Sequence, residues 1–77
     1  MQYDNLGAFI KSKRENLYPN LSLNEFALNI DVDSSTLSKI ENNKQGMNKN
    51  TLVKIASGFG LLLSEFIKEY ELSKYSR

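Results

Sequence analysis

The sequence predicts an all-α fold, a compact bundle of five short helices, and three observations carry that prediction. Apolar residues recur at three- and four-residue spacing in five segments. No segment alternates apolar and polar residues with the period of two that a half-buried strand shows. Between the segments stand residue types that cap or break helices. A chain of 77 residues has room for one domain, because at this length only about 60% of the surface of the unfolded chain can be buried. Residues 1–77 are therefore expected to form one unit, with a core over about 5–70 and a frayed tail over about 71–77.

In the first segment Leu6, Phe9, Ile10 and Leu17 share a helical face, and Asp4 or Asn5 is placed to cap a helix over about 5–16. Pro19, the only proline, cannot lie inside a helix, so Tyr18-Pro19-Asn20 is connection. Ser22-Leu23-Asn24-Glu25 has the spacing of a capping box, in which the serine hydroxyl and the glutamate each bond the other's amide. A second helix thus starts near 23 and carries Phe26, Ala27 and Ile30. Asp31 suits a turn, and Asp33 can cap a third helix over about 34–41. Leu37 and Ile40 should point inward there, leaving Ser34, Ser35, Ser38 and Lys39 outward. Asn42-Asn43-Lys44-Gln45-Gly46 breaks that helix, with Asn43 or Gly46 able to take a positive φ. Asn48 can cap a fourth helix holding Leu52, Ile55, Ala56 and Phe59, which Gly60 ends. A fifth starts at about 63, with Leu63, Phe66, Ile67 and Tyr70 on one face.

Composition narrows the function classes. Apolar residues at 40% and charged residues at 25% are ordinary for a globular chain, which argues against disorder. Cysteine and histidine are both absent, removing disulfides, thiolate metal sites and the commonest general base. No metal, no cofactor and no enzymatic activity are expected; Glu65, Glu69 and Glu71 have no catalytic companion and suit a solvated helix face. The start, Met1-Gln2-Tyr3-Asp4, lacks the features of a signal peptide, and no stretch approaches the roughly 18 apolar residues that cross a bilayer. A cytoplasmic location without membrane association is the expectation. The net charge of +1 hides an uneven distribution: Lys39, Lys44, Lys49 and Lys54 face a single acid, Glu41, whereas residues 15–33 carry four acids and no base. The lysine-rich stretch can form a local positive patch.

Two short helices joined by a tight turn, the second offering small polar side chains and a lysine, have the form of a helix-turn-helix. A major groove about 12 Å wide admits one helix, whose side chains must be slim enough to approach base edges and still carry donors or acceptors. Residues 22–41, SLNEFALNIDVDSSTLSKIE, resemble the helix-turn-helix of the lambda Cro and repressor-like (XRE) family, with Phe26-Ala27, Val32, Ser38 and Ile40-Glu41 at matching positions. The similarity extends to Leu6 through Arg14, to Asn42 through Leu52, and to Phe59-Gly60-Leu61 with Glu65-Phe66.

The resemblance implies a lambda repressor-like domain with the helix-turn-helix at helices two and three, binding double-stranded DNA sequence-specifically as a transcriptional regulator. It implies that Ser34, Ser35 and Lys39 face base edges, with Thr36 and Ser38 beside them. Phosphates would meet the start of helix two at Ser22, Leu23 and Asn24, the loop residues Asn42, Asn43, Lys44 and Gln45, and Lys49. Arg14 and Glu41 match a structural ion pair of the family.

Some positions depart from the family pattern. The connection from Glu15 to Leu21 is longer than usual, Leu23 replaces a polar residue and leaves only its amide for phosphate, and Met47 replaces a loop proline. Asp31 and Asn43 stand where glycine is common, and Leu62 where a capping serine or threonine is usual. Leu61-Leu62-Leu63 is too apolar for an exposed loop, so Leu62, Ile67 and Tyr70 are expected to form a homodimer contact. A two-fold pair of recognition helices would read an inverted-repeat operator with half-sites about 34 Å apart. The rival reading is a protein-interaction module, an antitoxin or adaptor, holding a protein partner on the apolar stripe of helix five; a steep salt dependence separates DNA binding from it.

Overall fold

The computed structural model describes residues 5–75. Five α-helices and no strands occur among the described residues: α1 (Leu6–Leu17), α2 (Leu23–Asn29), α3 (Ser34–Glu41), α4 (Lys49–Gly58) and α5 (Leu63–Tyr75). Local chemistry sets most of these boundaries. Ser22 caps α2 in a capping box: its hydroxyl accepts the Glu25 amide at 3.1 Å, and the Glu25 carboxylate accepts the Ser22 amide at 2.9 Å. Asp33 caps α3 through the amides of Ser35 and Thr36, and Asn48 caps α4 through that of Thr51. Asp4, the alternative cap for α1, lies outside the described residues; Asn5 occupies the position but makes no side-chain cap bond.

Three helices end in the same way. Asp31, Asn43 and Gly60 take left-handed backbone at φ 59°, 60° and 74° after α2, α3 and α4. In each case two amides return to the last turn: Val32 to Ala27 O and Asp31 to Leu28 O, Lys44 to Lys39 O and Asn43 to Ile40 O, Leu61 to Ala56 O and Gly60 to Ser57 O. These are Schellman closures, which satisfy carbonyls that a helix end would otherwise leave open. Asp and Asn tolerate the left-handed region, which explains how this chain manages without glycine at two of the three sites.

α3 packs against both α1 and α2, and α4 packs against α5. The core comprises Leu6, Ile10, Phe26, Ala27, Ile30, Leu37, Ile40, Ile55, Ala56, Phe59, Phe66 and Tyr70. Phe26 stacks on Phe59 at 5.1 Å between ring centroids, and Phe59 on Phe66 at 5.9 Å, joining α2, α4 and α5. The radius of gyration, 11.5 Å, matches the roughly 11–12 Å of a compact chain of this length.

The structure corrects two sequence expectations. Leu17 is exposed rather than inward; the ring of Tyr18 takes the core position instead, stacking on Phe59 and donating its hydroxyl to Gly58 O at 2.8 Å. The long connection is thereby pinned to the end of α4, and α1 uses part of it by running to Leu17. Tyr70 is 1% exposed and belongs to the core, not to a surface stripe, because Phe9 of α1 lies edge-on against it at 5.5 Å. α5 is described through Tyr75, and residues 76–77 of the expected tail are outside the described part.

Candidate nucleic-acid interface

The placement of α3 follows from its inner face. Leu37 and Ile40 are 0% and 1% exposed, and burying side chains of this size contributes about 1.5–3 kcal/mol each. With that face fixed, Ser35 and Lys39, one turn apart, are exposed on the opposite side. Ser34, Thr36 and Ser38 flank them and are half-buried, so the outward surface is narrower than the sequence suggests.

The end of α3 is fixed by charge. Arg14 Nε and Nη2 donate to Glu41 Oε2 and Oε1 at 2.9 and 3.0 Å, a two-pronged pair whose side chains are 8% and 2% exposed. The hydrogen bond to Glu41 holds the Arg14 guanidinium above its ordinary pKa, so the cation persists at every accessible pH. The pair ties α1 to the point from which the next loop departs.

That loop exposes Asn42, Asn43, Lys44 and Gln45. The Asn42 side-chain amide folds back on Ser38 O at 2.8 Å, which commits one of its donors to α3. Lys49 is the first residue of α4, which has no acid in its first turn. A cation there opposes the helix dipole, and a phosphate alongside would relieve it. At the start of α2, Ser22 and Asn24 are exposed, while the Leu23 side chain packs against the core. The Ser22 amide is not open to phosphate as expected from sequence, because the Glu25 carboxylate occupies it; the amides of Leu23 and Asn24 lie outside the capping box.

Sequence reasoning missed a clamp on the turn. Lys54 of α4 donates to Asp31 O at 3.2 Å and lies 3.7 Å from its carboxylate, holding the α2–α3 turn against α4. A lysine one turn before an α4 C-terminus carries no local signal for this. It also missed exposed apolar side chains at Leu28 and Leu72. Of the expected dimer residues, Leu62 is 69% exposed, Ile67 is half-buried against the core and Tyr70 is withdrawn as described above.

Two capping carboxylates give the region a pH dependence. Glu25 is held below its ordinary range by its bonds to the Ser22 backbone and hydroxyl, and Asp33 by the Ser35 hydroxyl and then the Thr36 amide. A depressed folded-state pKa contributes stability that is complete above the unfolded value and disappears as pH falls through the folded one. The urea midpoint should therefore stay level from neutrality down to about pH 5 and decline below about pH 4. Glu25→Gln should shrink that decline, and an unchanged acid limb in this variant would remove Glu25 as a contributor.

A short helix held outward by Leu37 and Ile40, capped at one end by Asp33 and moored at the other by Arg14–Glu41, beside a lysine-bearing loop, defines a helix-turn-helix protein of the DNA-binding class. The chain belongs to the helix-turn-helix domain family, whose pattern matches residues 7–72, and it is an XRE-type DNA-binding protein rather than an enzyme. It is 41% identical over 51 residues to control protein C.MunI from Mycoplasma sp, a match spanning 66% of this chain and 69% of that one. In fold it is similar to the clp gene regulator ClgR from Corynebacterium glutamicum, with a TM-score of 0.75 and 22% identity over 95% of this chain and 76% of that one. No single helix among the described residues is long and apolar enough to cross a membrane.

Proposed function

We infer that this chain is a cytoplasmic transcriptional regulator, a repressor or the controller of a small gene cassette, that binds an inverted-repeat DNA operator as a homodimer. The observation that carries this reading is the exposed Ser35–Lys39 face of α3, backed by the buried Leu37 and Ile40. Its support from relatives is that one is named a control protein and the other a gene regulator. Residues 1–77 act as one helix-turn-helix domain. Ser34, Ser35, Thr36, Ser38 and Lys39 meet base edges. The amides of Leu23 and Asn24, the Ser22 hydroxyl, Asn42, Asn43, Lys44, Gln45 and Lys49 meet phosphates and fix orientation without reading sequence. The two-fold contact uses α5 through Leu62 and Ile67, with the exposed Leu72 added and Tyr70 left in the core.

Selection of bound duplexes from a random DNA pool tests this directly. An enriched inverted repeat with half-sites one helical turn apart is the expected result, and an unenriched pool would overturn it. Two substitutions separate the roles. Lys39→Ala should relax preference at one base pair per half-site, a loss of about 1–3 kcal/mol of discrimination, with folding intact. Lys44→Ala should weaken all sequences alike and reduce the salt slope by about one. Sequence-selective loss in Lys44→Ala, or unchanged selectivity in Lys39→Ala, would contradict the assignment.

A further inference from the structure

The N-terminus of α3 contains a contact that none of the roles above uses. Asp33 Oδ2 accepts the amides of Ser35 at 3.1 Å and Thr36 at 3.3 Å, and it also accepts the Ser35 hydroxyl. An ionised carboxylate has acceptors only, so the shared proton belongs to Ser35 Oγ. These same bonds hold the Asp33 carboxyl below its ordinary range, Lys39 adding a smaller pull, and it is ionised at neutral pH. A serine hydroxyl has one proton to give. Once Asp33 takes it, the exposed side of Oγ carries lone pairs alone, made more negative by the anion behind them.

We propose that Asp33 fixes the polarity of Ser35, converting a side chain that ordinarily donates or accepts into an acceptor that reads the major-groove amino group of adenine (N6) or cytosine (N4). Guanine and thymine present carbonyl oxygens at the corresponding place, and an acceptor facing them is repelled. Ser35 thus selects A or C over G or T on the strand it touches, without regard to purine or pyrimidine. Ser35 is the contacting residue, and Asp33 is a positioning residue that acts through it. This rests on the DNA-reading role proposed above.

The test uses the full chain and the operator obtained by selection. Ser35→Ala first locates the base whose preference flattens. At that base the natural A or C is replaced by its analogue lacking the exocyclic amino group, purine or 2-pyrimidinone. The wild-type chain should lose about two- to tenfold in affinity, the range of one hydrogen bond, while Ser35→Ala binds both duplexes equally. Asp33→Gly removes the oxygen that takes the Ser35 proton, and glycine is itself a favoured N-cap residue, so the start of α3 loses little. Its thermal transition should therefore remain cooperative, while its preference for A or C over G or T disappears and affinity for the operator does not fall by more than that factor.

A wild-type preference for G or T at this base, indifference to the missing amino group, or an intact preference in Asp33→Gly would overturn the proposal. So would a preference that survives in Ser35→Ala, which would mean that Asp33 itself accepts the amino group. If Asp33→Gly does not fold, the wild-type and Ser35→Ala comparison on the analogue duplexes decides alone. Selective operator binding with an amino-indifferent position defeats this inference only, whereas absence of any selective binding defeats the DNA-reading role and this with it.

Discussion

Arg14→Ala is expected to cost about 3–5 kcal/mol in urea unfolding, because it leaves a buried carboxylate without its cation. Glu41 is 4% exposed and closes the last turn of α3, where the helix dipole already concentrates negative charge. The guanidinium offsets both. A chain of 77 residues holds roughly 4–12 kcal/mol in total, so the variant should be substantially unfolded near physiological temperature. Removing both charges should be far milder. Arg14→Met with Glu41→Leu fills similar volume and leaves neither a stranded charge nor a void, and it should fall within about 1–2 kcal/mol of the wild type or exceed it. If the double variant is as unstable as Arg14→Ala, lost packing of the arginine stem, rather than the stranded charge, is responsible.

Helix boundaries were legible in the sequence because the residues that set them act within four positions of themselves. Ser22, Asp33 and Asn48 cap where their spacing indicates, and α3 runs over the expected 34–41. Asp31, Asn43 and Gly60 adopt the left-handed conformation that ends α2, α3 and α4. What periodicity does not determine is which part of an apolar face the rest of the chain covers. Leu17 has the spacing of a core residue, yet the chain turns immediately after it and the Tyr18 ring fills the site. Tyr70 ends the apolar face that Leu63, Phe66 and Ile67 begin on the last helix, and α1 folds over it. Both outcomes depend on where α1 and α5 meet, and no single segment encodes that.

The candidate interface was legible in the same uneven way. Its polar side and its lysines follow from the three- and four-residue spacing of α3 once Leu37 and Ile40 are inward. The state of each polar group does not, because hydrogen bonds already made within the protein decide what remains for a ligand. One Asn42 donor is taken by Ser38 and the Ser35 proton by Asp33. Two serines that look alike in sequence therefore differ in what they can offer: Ser22 accepts the Glu25 amide through its hydroxyl oxygen, whereas Ser35 gives its proton away.

Gly7→Ala carries the other large expected effect, and it concerns how α1 positions the interface. Gly7 lies in the first turn of α1, where that helix crosses the end of α3. A Cβ built there would stand 2.2 Å from Ile40 O, 2.7 Å from Asn43 Oδ1 and 2.9 Å from Glu41 O. Two of these atoms are backbone carbonyls in a helix end moored by Arg14, so they cannot swing aside as the tip of a flexible side chain would. Either α1 or the end of α3 must shift. Overpacking of this kind typically costs about 1–3 kcal/mol. The gain from replacing glycine by alanine within a helix returns about 1 kcal/mol at most, so a net loss of about 1–2 kcal/mol is expected in urea unfolding. Gly46→Ala is the control, because a Cβ there meets nothing within 4 Å; it should stay within about 0.5 kcal/mol of the wild type. Since the displaced backbone leads directly into Asn43 and Lys44, Gly7→Ala should also weaken DNA binding under conditions where it is still folded, and Gly46→Ala should not. Equal stability of the two alanine variants would mean that α1 can separate from α3 without cost, and the tight crossing would then not be what holds the loop in place.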